Sequence, residues 1–236
     1  MRLQKRYTIA KLRRMTARFV AFLRLGARHC ACRESPVAPT RSSERIFDMT
    51  EDEQTGVALV LIDVLDDLGS DQSQDELEGA RLAAPKILAL RERAHEAGVP
   101  VIYANHRFDT EELTAFSKAR DAGHVVTRML VPTDKDHSVL KSAPSAFDAT
   151  ELESLLQELE ARTVVLAGFS ADNDVLRTAT DARARGYHVV VPSDCVAAST
   201  NALTKLALGW IGSEANARVD DSLDIDLHAL RYERVG

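Results

Sequence analysis

Three short segments, each following an apolar run and each holding an ionisable residue, carry the chemistry that this sequence suggests. Asp63 closes the continuous apolar run Val57–Ile62 and is followed by Val64, Leu65, Asp66 and Asp67. Lys141 follows Val139-Leu140 and precedes Ser145-Ala146-Phe147. The loop Gly168-Phe169-Ser170-Ala171-Asp172-Asn173-Asp174 follows the run Thr163–Ala167 and leads into helical sequence. A carboxylate at the end of a buried strand is costly to desolvate without a cation. Lys141 can supply that cation from a neighbouring strand end. Each residue alone reads equally well as a cap or a solvent-facing charge. Brought together, such segments would set carboxylates beside an ammonium, groups suited to acid/base chemistry.

The elements that must position these residues alternate along the chain. Gly56–Ile62 is apolar throughout, as expected of a strand buried on both faces. Helical sequence follows to about Ala97, with Leu77, Ala80, Ala84, Ile87, Leu88 and Ala94 in one stripe. Pro85 predicts a kink there, or a fresh start with the proline in the first turn. Gly98 is placed to stop that helix in the left-handed conformation. Val99–Ala104, Ser138–Leu140, Thr163–Ala167 and Val189–Val191 read as further strands. Thr150 and Glu153 predict a capping box for a helix that buries Leu152, Leu155, Leu156 and Leu159. Asp172–Arg185 and Ala202–Trp210 read as helices, and 107–130 as a helical excursion covering the substrate. The alternation predicts a three-layer α/β/α domain around a central, mostly parallel sheet. Sites in such sheets lie at the carboxyl ends of the strands, near a switch in strand order. That points to Asp63, Asn105, His106, Lys141, 168–174 and 193–195.

Composition bounds the rest. Of 236 residues, 45% are apolar and 28% charged, the balance of an ordinary globular protein. No run approaches the roughly 18 apolar residues of a membrane span. Residues 1–48 carry 12 basic and 3 acidic residues, leaving 18 basic and 33 acidic in residues 49–236. A body that acidic repels phosphate backbones, which argues against nucleic-acid binding. Only Cys195 lies in the body, so no disulfide framework is expected and a reducing, cytoplasmic compartment is. Residues 1–48 are set apart as a basic extension, with Ile9, Leu12, Met15, Phe19, Phe22 and Leu23 at helical spacing. Three readings stay open for it: a disordered extension or a misplaced start ahead of Met49, a targeting segment, or a membrane-surface helix.

Together the three segments resemble the isochorismatase-like superfamily of cysteine hydrolases. Its motifs are a strand-terminal Asp (Asp63), a Lys separated by three variable residues from Ser-Ala-Phe (Lys141, Ser145-Ala146-Phe147), and a strand-end Gly whose loop leads to a helix-opening Cys. Here Gly168 and Asp172 are in register, Ala171 replaces a Thr, and the cysteine position falls on Asp174. Gly186-Tyr187 and Val190-Val191-Pro192-Ser193-Asp194-Cys195 also resemble the family's fifth strand and its exit. The resemblance spans about residues 56–211.

The resemblance implies that Asp63 is the general acid or base, that Lys141 holds the charge balance, and that Asp174 stands in the nucleophile's place. It implies a cis peptide at Phe169–Ser170 and an oxyanion-binding loop with backbone N–H groups around Asn173 and Asp174. Asp174 cannot form a thioester, so the expected function is hydrolysis of a small-molecule amide or enol-ether bond without one. The family's isochorismatases, which lack the cysteine and protonate a vinyl ether through the strand-terminal Asp, offer a precedent. The alternative is a catalytically silent member that binds or scaffolds. Nicotinamidase-like members hold a metal through an Asp and two histidines. Here His106 stands with Asp109, and His124 and His137 are scattered, so His106 reads as a hydrogen-bonded loop residue. No metal or other cofactor is expected. Cys195 reads as a packed thiol and Trp210 as core or a subunit-contact anchor. A homo-oligomer is expected by analogy.

Overall fold

A computed structural model describes residues 56–65, 74–106 and 124–231. Asp66, Asp67 and Asp109, with most of the excursion 107–130, lie outside the described residues. Seven strands form one sheet: β1 Gly56–Ile62, β2 Val101–Asn105, β3 His137–Leu140, β4 Ala161–Phe169, β5 His188–Pro192, β6 Val196–Ala197 and β7 Arg218–Asp220. Their order is β3-β2-β1-β4-β5-β7, with β6 beside the end of β4, and every pairing is parallel. The helices are α1 Gln74–Glu96, α2 His124–Met129, α3 Leu152–Glu158, α4 Leu176–Ala184, α5 Asn201–Glu214 and α6 Leu227–Leu230. Among the described residues no helix is long and apolar enough to cross a membrane.

The unbroken apolar run of β1 follows from a core on each face of the sheet. Val57, Leu59 and Leu61 join Ile87 and Leu90 of α1 and Leu227 and Leu230 of α6. Ala58, Val60 and Ile62 join Leu152 and Leu156 of α3, Ala179 and Ala182 of α4, and Ile211 of α5. Strand side chains alternate, so only a sheet covered on both sides has use for an apolar residue at every position. The expected α/β/α layering is therefore realised. Chain order steps outward from β1 through β2 to β3, then returns to the other side at β4. The β1–β4 boundary is thus the switch point, where strand ends diverge and leave a crevice.

Several local expectations are corrected. Helix α1 continues through Pro85 as one helix, so it does not start afresh there, because its buried side, Ala80, Ala84, Ile87 and Leu90, packs on the sheet and outweighs one missing backbone bond. The capping box at Thr150 does not form. Thr150 Oγ1 accepts from Leu152 N at 3.2 Å and donates to Ala146 O, while Glu153 pairs with Arg185 at 3.2 Å. The helix expected from Asp172 opens instead with a wide turn, Ala171–Val175, before α4. Trp210 is not core, being 46% exposed on α5. The left-handed stops at Gly98 and Gly186 are present, with φ of 66° and 87°.

Candidate active site

Asp63, Lys141 and Asp174 come from three different strand ends and meet. Asp63 is the first residue past β1, and its backbone N–H donates to Ala104 O of β2 at 3.0 Å. Its φ is +49°, a left-handed conformation that aspartate tolerates better than most residues. The loop that follows is held by Asn105, fully buried at the end of β2. With its amide oriented to suit its neighbours, Asn105 Oδ1 accepts from Val64 N at 3.1 Å and Leu65 N at 2.9 Å.

Lys141 leaves β3 with its side chain wholly enclosed. Its ammonium lies 2.5 Å from Asp63 Oδ2 and 2.7 Å from Asp174 Oδ1. It also reaches the carbonyl oxygens of Ala143 and Pro144, each at 3.2 Å. The cation predicted for the strand-terminal Asp is therefore present, shared with the second carboxylate. A buried ammonium needs such company, since desolvating it alone costs several kcal/mol.

Asp174 sits on the wide turn after β4. Ser170 Oγ and Asn173 Nδ2 both donate to its Oδ2, each at 3.2 Å. The two carboxylate oxygens thus face different partners, Lys141 on one side and the Ser170 loop on the other. The Phe169–Ser170 peptide bond is cis. Gly168, just before it, has φ +127°, and a Cβ there would fall 2.0 Å from Ile62 O of β1. The loop can leave β4 this close to Asp63 only because position 168 has no side chain. The Asn173 N–H expected to face an oxyanion is directed instead to Ser170 O, at 3.4 Å. Asn173 reaches the site through its side-chain amide.

His106 is a hydrogen-bonded loop residue, as expected, and its partner belongs to the site. Its Nε2 lies 3.2 Å from Lys141 Nζ and 3.8 Å from Asp63 Oδ2, with 41% of its side chain exposed. It borders the site at its solvent side. Asp63, His106 and Asp174 have ligand atoms within 4.8 Å of one another, a set able to hold a metal ion. Lys141 Nζ lies among all three, so the cation these residues surround is the protein's own ammonium. Thr178 was missed. Fully buried four residues beyond Asp174, it donates to Asp174 O at 2.7 Å and accepts from Ala146 N at 3.0 Å. The only signal for it was its helical spacing from Asp174.

Cys195 is fully buried in the core on the α1 side of the sheet. Burial, and then the adjacent Asp194 carboxylate, push its thiol well above the ordinary range. It is a packed thiol.

Comparison with known proteins bears on the family. The isochorismatase domain model matches residues 57–216. The chain is 29% identical over 156 residues to YaaI, an uncharacterised isochorismatase family protein of Bacillus subtilis, covering 64% of this chain and 86% of that protein. It is 26% identical over 159 residues to a probable inactive nicotinamidase of Arabidopsis thaliana, covering 61% and 81% respectively. The crystal structure of N-carbamoylsarcosine amidase from Thermoplasma acidophilum superposes with a TM-score of 0.59 at 29% identity, over 73% of this chain and 99% of that one. By its three strand-end motifs, its parallel sheet and this match, the chain belongs to the isochorismatase family.

Proposed function

We propose that residues 49–236 form a hydrolase acting on an amide or enol-ether bond of a small molecule, without a cysteine thioester. The observation that carries the reading is the single Lys141 ammonium held between Asp63 at 2.5 Å and Asp174 at 2.7 Å, at the switch point of the sheet. In the proposed chemistry Asp63 exchanges a proton with the substrate, Lys141 balances the paired carboxylates, and Asp174 acts as base toward an attacking hydroxyl. The role of Asp174 follows from what a carboxylate does well: it takes up a proton more readily than it serves as a covalent nucleophile. Likeness to an N-carbamoylsarcosine amidase supports the amide over the enol ether. The Phe169–Ser170 loop is assigned to oxyanion binding, and the reaction needs no cofactor. A cytoplasmic homo-oligomer is part of the same proposal.

A panel of amides and vinyl ethers, assayed with wild type, Asp63→Asn and Asp174→Cys, tests this. Wild-type turnover abolished by Asp63→Asn supports it. An inert wild type beside an Asp174→Cys variant that gains amidase activity favours a second reading, a catalytically silent member. The specific observation behind that second reading is the loss of the cysteine itself, in company with a relative described as probably inactive.

A further inference from the structure

We propose that Ser170 is the nucleophile of this site, activated by Asp174, and that it forms an acyl ester with a carbonyl substrate. The inference rests on the amide-hydrolase reading and names the group that attacks.

An activated hydroxyl needs a base within hydrogen-bond reach and a third group that orients the base. Ser170 Oγ donates to Asp174 Oδ2 at 3.2 Å, and Lys141 Nζ holds Asp174 Oδ1 at 2.7 Å. Nucleophile, base and orienting group therefore form one chain, built from the strand-end loop after β4 and the end of β3. Ser170 is partly exposed, whereas Lys141 is enclosed. Its hydroxyl stands on a strand-to-helix turn at the carboxyl end of the sheet, where a nucleophile can meet a substrate from the crevice. Asn173 Nδ2, also 3.2 Å from Asp174 Oδ2, fixes the same oxygen that faces the serine. With aspartate in the cysteine's place, base and nucleophile become separate residues.

The step balances as follows. The Ser170 Oγ–H proton passes to Asp174 Oδ2 while an Oγ electron pair forms a bond to the amide carbonyl carbon, whose π pair moves onto oxygen. Collapse of that intermediate reforms the carbonyl and expels the nitrogen, which takes the proton back from Asp174. Water then attacks the ester and gives one proton to Asp174. Oγ leaves with that proton, the acid is released and serine is restored.

The test uses the full chain and a fluorophosphonate, which phosphonylates an activated serine with loss of fluoride. The expected result is one adduct on Ser170 by peptide mass spectrometry, forming at least tenfold more slowly in Asp174→Asn. No adduct on Ser170 in folded wild type overturns the proposal. So does wild-type turnover by Ser170→Ala, which leaves the hydrolase reading standing if Asp63→Asn is dead. An adduct on Ser170 in a chain that cleaves no amide supports the serine and removes the amide-hydrolase reading instead.

Discussion

The hydroxyl of Thr178 lies 2.7 Å from the carbonyl oxygen of Asp174 and, on its other side, accepts the backbone N–H of Ala146. One buried side chain thereby ties the turn carrying Asp174 to the loop that follows Lys141. Thr178→Val removes both bonds and leaves a buried N–H unpaired, which costs about 1–3 kcal/mol. We expect kcat on any substrate of the wild type to fall with little change in KM, and Thr178→Ser to restore most of it. Urea titration together with steady-state kinetics checks both outcomes.

Lys141→Met keeps the length of the side chain and removes its charge. The carboxylates of Asp63 and Asp174, with 9% and 13% of their side chains exposed, would then face each other without a cation. Breaking a buried pair in this way destabilises by about 3–5 kcal/mol. A urea midpoint within error of wild type would contradict the central role given to this ammonium.

Gly168→Ala should be among the most damaging single-methyl changes in the protein. The new Cβ would meet Ile62 O at 2.0 Å and Ile62 N at 2.8 Å, on a residue whose φ is +127°. Ile62 and Gly168 are paired in the sheet, so neither backbone can move aside. A loss of more than about 3 kcal/mol, or insoluble expression, is expected.

Alkaline stability should report on Tyr103, buried in the core and accepting a hydrogen bond from Arg91 Nη1 at 2.8 Å. Burial pushes its hydroxyl up from 10.0 to about 12, with Arg91 opposing the shift. A group raised on folding contributes stability that is complete below its unfolded value and is lost as pH rises through the folded one. Wild type should therefore lose about 2 kcal/mol more than Tyr103→Phe between pH 10 and 12. Paired urea titrations across that window measure the difference.

Cys195 should resist alkylation. Its thiol is enclosed, and burial together with the Asp194 carboxylate holds it protonated. Iodoacetamide at pH 8 should label it at least about a hundredfold more slowly in native protein than in urea, because only the exposed thiolate reacts. Rapid native labelling, read by peptide mass spectrometry, would contradict the buried position.

Much of this protein was written locally in its residues. The run Val57–Ile62 required a strand covered on both faces, and Gly98 and Gly186 marked helix ends by the one backbone conformation glycine makes cheap. Asp63 and Lys141 were legible because an ionisable residue ending a buried apolar run must find a partner, and Asp174 because the family resemblance pointed to its position. What the sequence could not express was which strand ends lie side by side. His106 looked like a lone loop histidine until the pairing of β2 with both β1 and β3 carried it to Lys141 and Asp63. Thr150 had the right spacing for a cap, yet its hydroxyl was drawn to Ala146 by the fold of the preceding loop. Pro85 read as a kink or a fresh start, but the packing of α1 on the sheet carries one helix through it. Propensity and motif act over a few residues, and they set the parts. Sheet order joins residues up to about a hundred positions apart, and only that tertiary choice turned three strand ends into one site.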